Sequence, residues 1–269
     1  MTNFFKILTA IFLTFFVSSL SARELEETFK KNISVDTATR LTVDNRNGNI
    51  EVKAWDNDEV EIVAYKKVRA DDRETAERLM EELQISITED RDEIEIITEY
   101  PDRHNRRGGG GFFGWLMGGS SGRHYSVSYE IRVPMKFDLD VGSTNGRLEI
   151  LDCDGRMRLE TTNGKIIADD ISGSVRCKTT NGSINVSMIK VSEDDEMSFK
   201  STNGSIKLFV PDDIDAEIRA RTTNGSISCD LPNMRDYNRS KRKMEAVVND
   251  GGMMIYLKTT NGSIRIRES

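Results

Sequence analysis

Six near-identical tetrapeptides ending in Asn-Gly punctuate this chain: Ser143-Thr144-Asn145-Gly146, then Thr161 to Gly164, Thr179 to Gly182, Ser201 to Gly204, Thr222 to Gly225 and Thr259 to Gly262. Between the first and third of them, Gly146, Gly155, Gly164, Gly173 and Gly182 recur every nine residues, Asn-Gly alternating with Asp154-Gly155 and Ser172-Gly173. The unit is therefore 18 residues long and carries two turns, and the next repeat stretches it to about 22. Self-similarity at a fixed period marks an array in which each unit buries its apolar side only against its neighbours.

Each of these glycines is followed by inward-type residues two and four positions later: Leu148/Ile150, Met157/Leu159, Ile166/Ala168, Val175/Cys177 and Ile184/Val186. That is period-two alternation, hence strands. The same rule gives Ile206/Leu208, Ile227/Cys229 and Ile264/Ile266. It also gives Ile50 and Val52 after Asn47-Gly48, which makes Leu41 to Val63 an early, diverged copy. An apolar residue followed by proline, at Val133-Pro134, Val210-Pro211 and Leu231-Pro232, marks strand ends, because proline lacks a ladder donor.

The expected fold class is thus all-β. An antiparallel meander would set the Asn-Gly turns along one edge as two-residue hairpins. A parallel β-helix or solenoid would instead stack the turns and build asparagine and threonine ladders from rung to rung. The near-identity of the side chains before each glycine favours the solenoid, with the meander as the alternative. In the ladder reading Asn145, Gly146, Asn163, Gly164, Asn181, Gly182, Asn203, Gly204, Asn224, Gly225, Asn261 and Gly262 form a structural turn ladder. Asparagine and glycine are expected there because a positive-φ turn asks for them, and this takes precedence over reading the Asn-Gly-Ser triplets as glycosylation sites.

Three segments break the β pattern. Asp71 to Leu83 has Ala76, Leu79, Met80 and Leu83 at helical spacing behind an acidic start, which predicts one short amphipathic helix over 71–83. A Gly-rich loop at 103–124 contains Gly108 to Gly111 and then Phe112, Phe113, Trp115, Leu116 and Met117. Asn233 to Met244 is polar and basic and reads as an excursion before the final strands at 245–269.

The first residues read as a secretory signal peptide: Lys6, an apolar run from Ile7 to Val17 and small residues up to Ala22, with cleavage expected after Ser21. The run is too short for a membrane span, which needs roughly 20 apolar residues. Residues 22–269 are then expected to form one β-solenoid domain: a diverged part at 34–100, the loop, regular repeats at 125–231, the excursion and the final strands. Loss of Lys6 makes the net charge of −7 one unit more negative, so nucleic acid is not an expected partner. Three cysteines allow at most one intramolecular bridge; Cys177 and Cys229 fall at inward positions and read as core, while Cys153 lies near a corner.

The leader, Asn47-Gly48-Asn49-Ile50-Glu51-Val52 followed by Trp55-Asp56, the short charged helix, the Gly-rich loop, Val133-Pro134 and the serial Thr-Asn-Gly-Ser-Ile units together resemble the bacterial putative adhesin family known as domain of unknown function 4097. The resemblance covers nearly all of the mature chain and rests on a repeat, not a catalytic signature. It implies a right-handed β-solenoid in a cell-envelope or secreted setting, and it brings no catalytic residues with it.

Residues suited to catalysis or metal binding are sparse in this chain. His104 and His124 border the loop without clustered cysteine or acidic partners at zinc-ligand spacing, and Gly108 to Gly111 lacks the Gly-Lys-Ser/Thr ending of a phosphate loop. Asp169-Asp170 and Asp212-Asp213 fall beside turns, where aspartate is ordinary. No catalytic set, metal site or cofactor is expected. The functional expectation is a non-enzymatic binding or scaffold module of the bacterial cell envelope, periplasmic, outer-surface or secreted, meeting an envelope protein, a polysaccharide or a membrane surface. The alternatives are a carbohydrate-active enzyme on a β-helix and a membrane-surface sensor acting through Phe112 to Met117.

Overall fold

In the computed structural model the described residues are 24–35, 40–101, 124–191 and 196–269. The expected leader and the aromatic loop with Phe112, Phe113, Trp115, Leu116 and Met117 lie outside them. The first part of the chain forms β1 (Glu24–Ser34), β2 (Arg40–Asn47), β3 (Ile50–Trp55), β4 (Glu59–Arg69), α1 (Arg73–Glu82), β5 (Gln84–Glu89), β6 (Glu93–Glu99) and β7 (His124–Pro134). Next come β8 (Asp138–Asn145), β9 (Leu148–Leu151), β10 (Met157–Asn163), β11 (Ile166–Ser172), β12 (Val175–Asn181), β13 (Ile184–Lys190), β14 (Met197–Asn203) and β15 (Ile206–Val210). The last part forms β16 (Ala216–Asn224), β17 (Ile227–Asp230), β18 (Met234–Arg239), β19 (Lys243–Val248), β20 (Met253–Asn261) and β21 (Ile264–Glu268).

These strands make two sheets around one apolar cluster: ten strands in the order β1-β4-β7-β3-β9-β11-β13-β15-β21-β17, and eleven in the order β18-β19-β16-β20-β14-β12-β10-β8-β2-β6-β5. Each regular rung is one strand of the larger sheet, an Asn-Gly corner and one strand of the smaller. Neighbouring rungs pair in parallel, as β10 with β12 and β11 with β13. The chain is a β-solenoid, not a meander.

The inward positions stack into rows. On the smaller sheet Ile50, Leu148, Ile166, Ile184, Ile206, Ile264 and Ile227 follow one another in register, all buried. On the larger sheet Val141, Leu159, Cys177, Phe199, Leu257 and Ala220 do the same. β-branched side chains suit such rows because they pack well on a pleated surface.

Rung order departs from chain order. The last rung, β20/β21, enters between β14/β15 and β16/β17, so the sixth tetrapeptide in sequence lies fifth in the stack. The cause is the segment expected as a basic excursion. It folds as the antiparallel pair β18 and β19, β19 pairs antiparallel with β16 and occupies its outer edge, and the returning chain takes the inner one. At the opposite end antiparallel β1, β4 and β7 close the smaller sheet, with Lys67 bonded to Glu24 and Glu26 across the edge pair. Charged, paired edges discourage strand addition.

The predicted helix is α1, two residues shorter at its start than expected and one at its end. Asp72 caps it, its carboxylate accepting a hydrogen bond from the Thr75 backbone N–H at 2.7 Å, and Ala76, Leu79 and Met80 are buried.

Cys153, Cys177 and Cys229 are all buried. Burial pushes the Cys153 thiol up to about 12 and raises that of Cys177 further, so thiolate is scarce at neutral pH. The native protein should leave Ellman's reagent unreacted at pH 8, whereas all three thiols should react in 6 M guanidinium. Rapid labelling of native Cys177 would contradict this burial.

Candidate functional site

Three residues of the repeated tetrapeptide have a structural role that can be stated atom by atom. The first, serine or threonine, points inward. Thr161, Thr179, Ser201, Thr259 and Thr222 each donate a side-chain hydrogen bond to the carbonyl of the corner glycine one rung closer to β2, at 2.8 to 3.3 Å. The third, asparagine, forms a continuous ladder. Asn224 Nδ2 donates to Asn261 Oδ1, and the chain runs on through Asn203, Asn181, Asn163 and Asn145 to Asn47, every bond 2.7 or 2.8 Å. All the donors point toward the β2 end, so one polarity is carried along the whole edge.

The fourth residue, glycine, is required by close approach. A Cβ on Gly146, Gly164, Gly182, Gly204, Gly225 or Gly262 would lie 1.8 to 2.2 Å from the carbonyl oxygen of the neighbouring corner glycine. This corrects the expectation from turn chemistry. Among these corners only Gly48 has positive φ, at 123°, and none of the ladder asparagines does. Positive-φ residues occur instead at the second corners, as in Asp152 (59°), Gly155 (149°) and Gly173 (94°), and at the irregularity in β11, Asp170 (53°).

The ladder has a seventh member that sequence reading passed over, Asn47. The turn at Asn47-Gly48 was visible, but Asn45 and Arg46 replace the usual threonines and disguise the match. Asn45 is buried and keeps the role of the inward residue with other partners, donating to the Val127 carbonyl at 2.8 Å and accepting from the Tyr100 hydroxyl at 2.6 Å. The Tyr100 ring packs against Tyr125 at 5.6 Å with the planes tilted by 42°, and the Arg46 guanidinium lies over it.

An inner ladder member bonds on two sides and an outer one on one side. Asn181→Ala should therefore cost about 1–3 kcal/mol and Asn224→Ala about half as much, given roughly 0.5–1.5 kcal/mol per hydrogen bond. Urea denaturation of the two variants checks the ratio; equal losses would show that the ladder adds nothing beyond single contacts.

The second residue of the tetrapeptide is different. Thr144, Thr162, Thr180, Thr202 and Thr223 are exposed and Thr260 half-buried, all on the outer face of the larger sheet. The inward position accepts serine or threonine, whereas this outward one is threonine in all six repeats.

Farther from the corner on the same face is a shallow depression with Arg40, Asp138, Asp140, Arg158, Arg176 and Glu196 around it. Burial is the main cause that raises the Asp140 carboxyl above the usual range, with Arg158 acting against it. A raised folded-state value means that the folded chain holds this proton more tightly than the unfolded one, so the group opposes folding as pH rises through that range. Asp140→Asn should raise the melting temperature at pH 7 and leave it unchanged near pH 2, where both states are protonated. A gain that persists at pH 2 would rule out this cause.

Asp169-Asp170 lie within β11, where its register with β13 shifts, and Asp212-Asp213 form a turn after β15, with Arg235 bonded to Asp250 beside them. Among the described residues no group of three or more His, Cys, Asp or Glu side chains could hold a metal ion, and no helix is long and apolar enough to cross a membrane. His124 opens β7; His104 lies outside the described residues.

No curated protein matches the sequence. Among solved structures, a putative cell adhesion protein from Clostridium sporogenes aligns at 12% identity with a TM-score of 0.47, over 91% of this chain and 100% of that one. A putative adhesin from Bacteroides fragilis aligns at 9% identity and a TM-score of 0.32, over 89% of this chain and 96% of that one. A putative lipid binding protein from Parabacteroides distasonis aligns at 11% identity and a TM-score of 0.30, over 90% and 96%. The Toastrack DUF4097 family matches residues 36–267, which takes in the rungs from β2 into β21, the corner ladder and the β18–β19 pair. The chain belongs to the Toastrack DUF4097 family.

Proposed function

We propose that the chain is an exported, non-enzymatic binding or scaffold module of the bacterial cell envelope. One observation carries this reading: the hydrogen-bonded corners repeat a single exposed threonine in register along the stack, so the surface offers the same group many times over. A repeated, rigid surface suits a repetitive ligand, because little ordering entropy is lost on contact. Export is supported by the leader, and localisation in the periplasm, on the outer surface or in the medium is equally compatible with it.

Two measurements test this. Purified mature protein incubated with cell-wall and capsular polysaccharides should show saturable retention without release of reducing ends, whereas turnover would establish a carbohydrate-active enzyme instead. Mass spectrometry of protein recovered from the exported fraction should show an N-terminus at Ala22, and a full-length cytoplasmic product would sink the export claim.

A further inference from the structure

Five cations stand in register across five adjacent strands of the larger sheet. Lys178 on β12 lies opposite Lys200 on β14, Lys200 opposite Lys258 on β20, Lys258 opposite Arg221 on β16, and Arg221 opposite Lys243 on β19. All five are exposed. With neighbouring strands about 4.8 Å apart, the row spans about 19 Å. Like charges directly opposite one another destabilise a sheet. Such a row in a chain of net charge −7 is therefore a cost to folding that a bound anion would relieve.

Among the described residues carboxylates touch only the two ends. Glu160 continues the row beyond Lys178 and lies 3.8 Å from its Nζ, and Glu245 bonds Lys243 at 2.9 Å, which lowers the Glu245 carboxyl below its usual range. Among the described residues no carboxylate forms an ion pair with the three central cations, and the Lys200 ammonium lies 5.4 Å from the Tyr256 ring centroid.

Two further features converge on the strip. Two residues along each of β12, β14, β20 and β16 come Thr180, Thr202, Thr260 and Thr223, the outward threonines of the repeat. The basic turn between β18 and β19 is pinned at the last corner, where the Arg242 carbonyl accepts from Thr222 N–H at 3.0 Å and the Lys241 carbonyl from Ile227 N–H at 3.2 Å.

We propose that this strip docks a linear anionic polysaccharide, its acid groups lying along Lys178, Lys200, Lys258, Arg221 and Lys243 and its hydroxyls meeting the threonines. The inference rests on the binding-module reading and names its ligand class. One cation per rung matches acid groups repeated along a polymer better than a single anion, and a parallel row of hydroxyls suits a sugar chain better than a bare polyphosphate. The acid group is a carboxylate or a sulfate, and polymers of each kind separate the two.

Isothermal titration of the full mature chain against polygalacturonate, dextran sulfate, neutral dextran and double-stranded DNA tests it. Saturable binding of one or both acidic polysaccharides is expected, weakening steeply with added salt. Lys200→Gln/Lys258→Gln should weaken that binding about 10-fold, and the exposed, off-row pair Lys136→Gln/Lys190→Gln should leave it unchanged. The first variant should also melt no lower than wild type without ligand, since it separates opposed cations. Thr202→Val/Thr260→Val should weaken polysaccharide binding without changing its salt dependence. Acidic polysaccharide bound equally well by the row variant would overturn the strip while leaving the module reading in place. Preference for DNA would overturn the polysaccharide assignment. Release of shortened chains from polygalacturonate would instead overturn the module reading itself.

Discussion

Gly182→Ala is expected to destabilise the protein by about 3–4 kcal/mol, while Gly142→Ala should be close to neutral. A Cβ on Gly182 would sit 1.8 Å from the Gly164 carbonyl oxygen and 2.6 Å from its carbon. Neither side can give way cheaply. The Gly182 N–H is bonded to the Asn203 carbonyl at 3.0 Å, and the Gly164 N–H to the Asn181 carbonyl at 3.1 Å, so a shift of one corner strains bonds on both neighbours. At Gly142 the nearest atom to the added carbon is the Val43 carbonyl oxygen at 3.7 Å, an ordinary contact. Chemical denaturation of the two variants separates them, and a third variant separates two explanations. If positive φ were the reason for glycine, Gly182→Asn would be tolerated better than Gly182→Ala, because asparagine visits the left-handed region more readily. Close approach predicts that asparagine is at least as damaging as alanine.

That contrast shows what was legible in the chain and what was not. Strand positions and the buried face could be read because side-chain direction alternates with period two, which ties Ile166 and Ala168 to one face whatever the tertiary arrangement. The parallel stack was legible from the repetition of whole tetrapeptides, since only stacking gives identical side chains a reason to be identical. The reason for glycine was misread because Asn-Gly is also the strongest short hairpin signal, and close approach between rungs involves residues 18 to 98 apart in sequence. Rung order was not legible at all: Asn203 can bond an asparagine from either remaining corner with the same geometry, so the choice between Asn224 and Asn261 lies in the β18–β19 pair. The cation row needed that order too, because Lys243 joins it only through the antiparallel pairing of β19 with β16.

The inserted rung carries the second large effect. Leu257→Ala should cost about 3–4 kcal/mol and split the protein into two regions of different stability. Leu257 is fully buried, with Phe199 in register on one side and Ala220 on the other. Ala220 is too small to fill the space that truncation would leave, so the cavity should persist. Every sheet pairing from β16, β17, β18 and β19 to the rest of the stack passes through β20 or β21. In an array coupled through nearest neighbours, weakening such a link releases everything beyond it. Hydrogen exchange by mass spectrometry should therefore show amides of β16 to β19 losing protection in Leu257→Ala while those of β10 and β12 keep most of theirs. Leu159→Ala, the same truncation between Val141 and Cys177 deep in the stack, should lower protection on both sides of its rung. A uniform loss in Leu257→Ala would mean that the terminal block is held by more than the inserted rung. A localised loss would also separate Arg221 and Lys243 from Lys178 and Lys200, so the same variant should weaken acidic-polysaccharide binding without touching a charged residue.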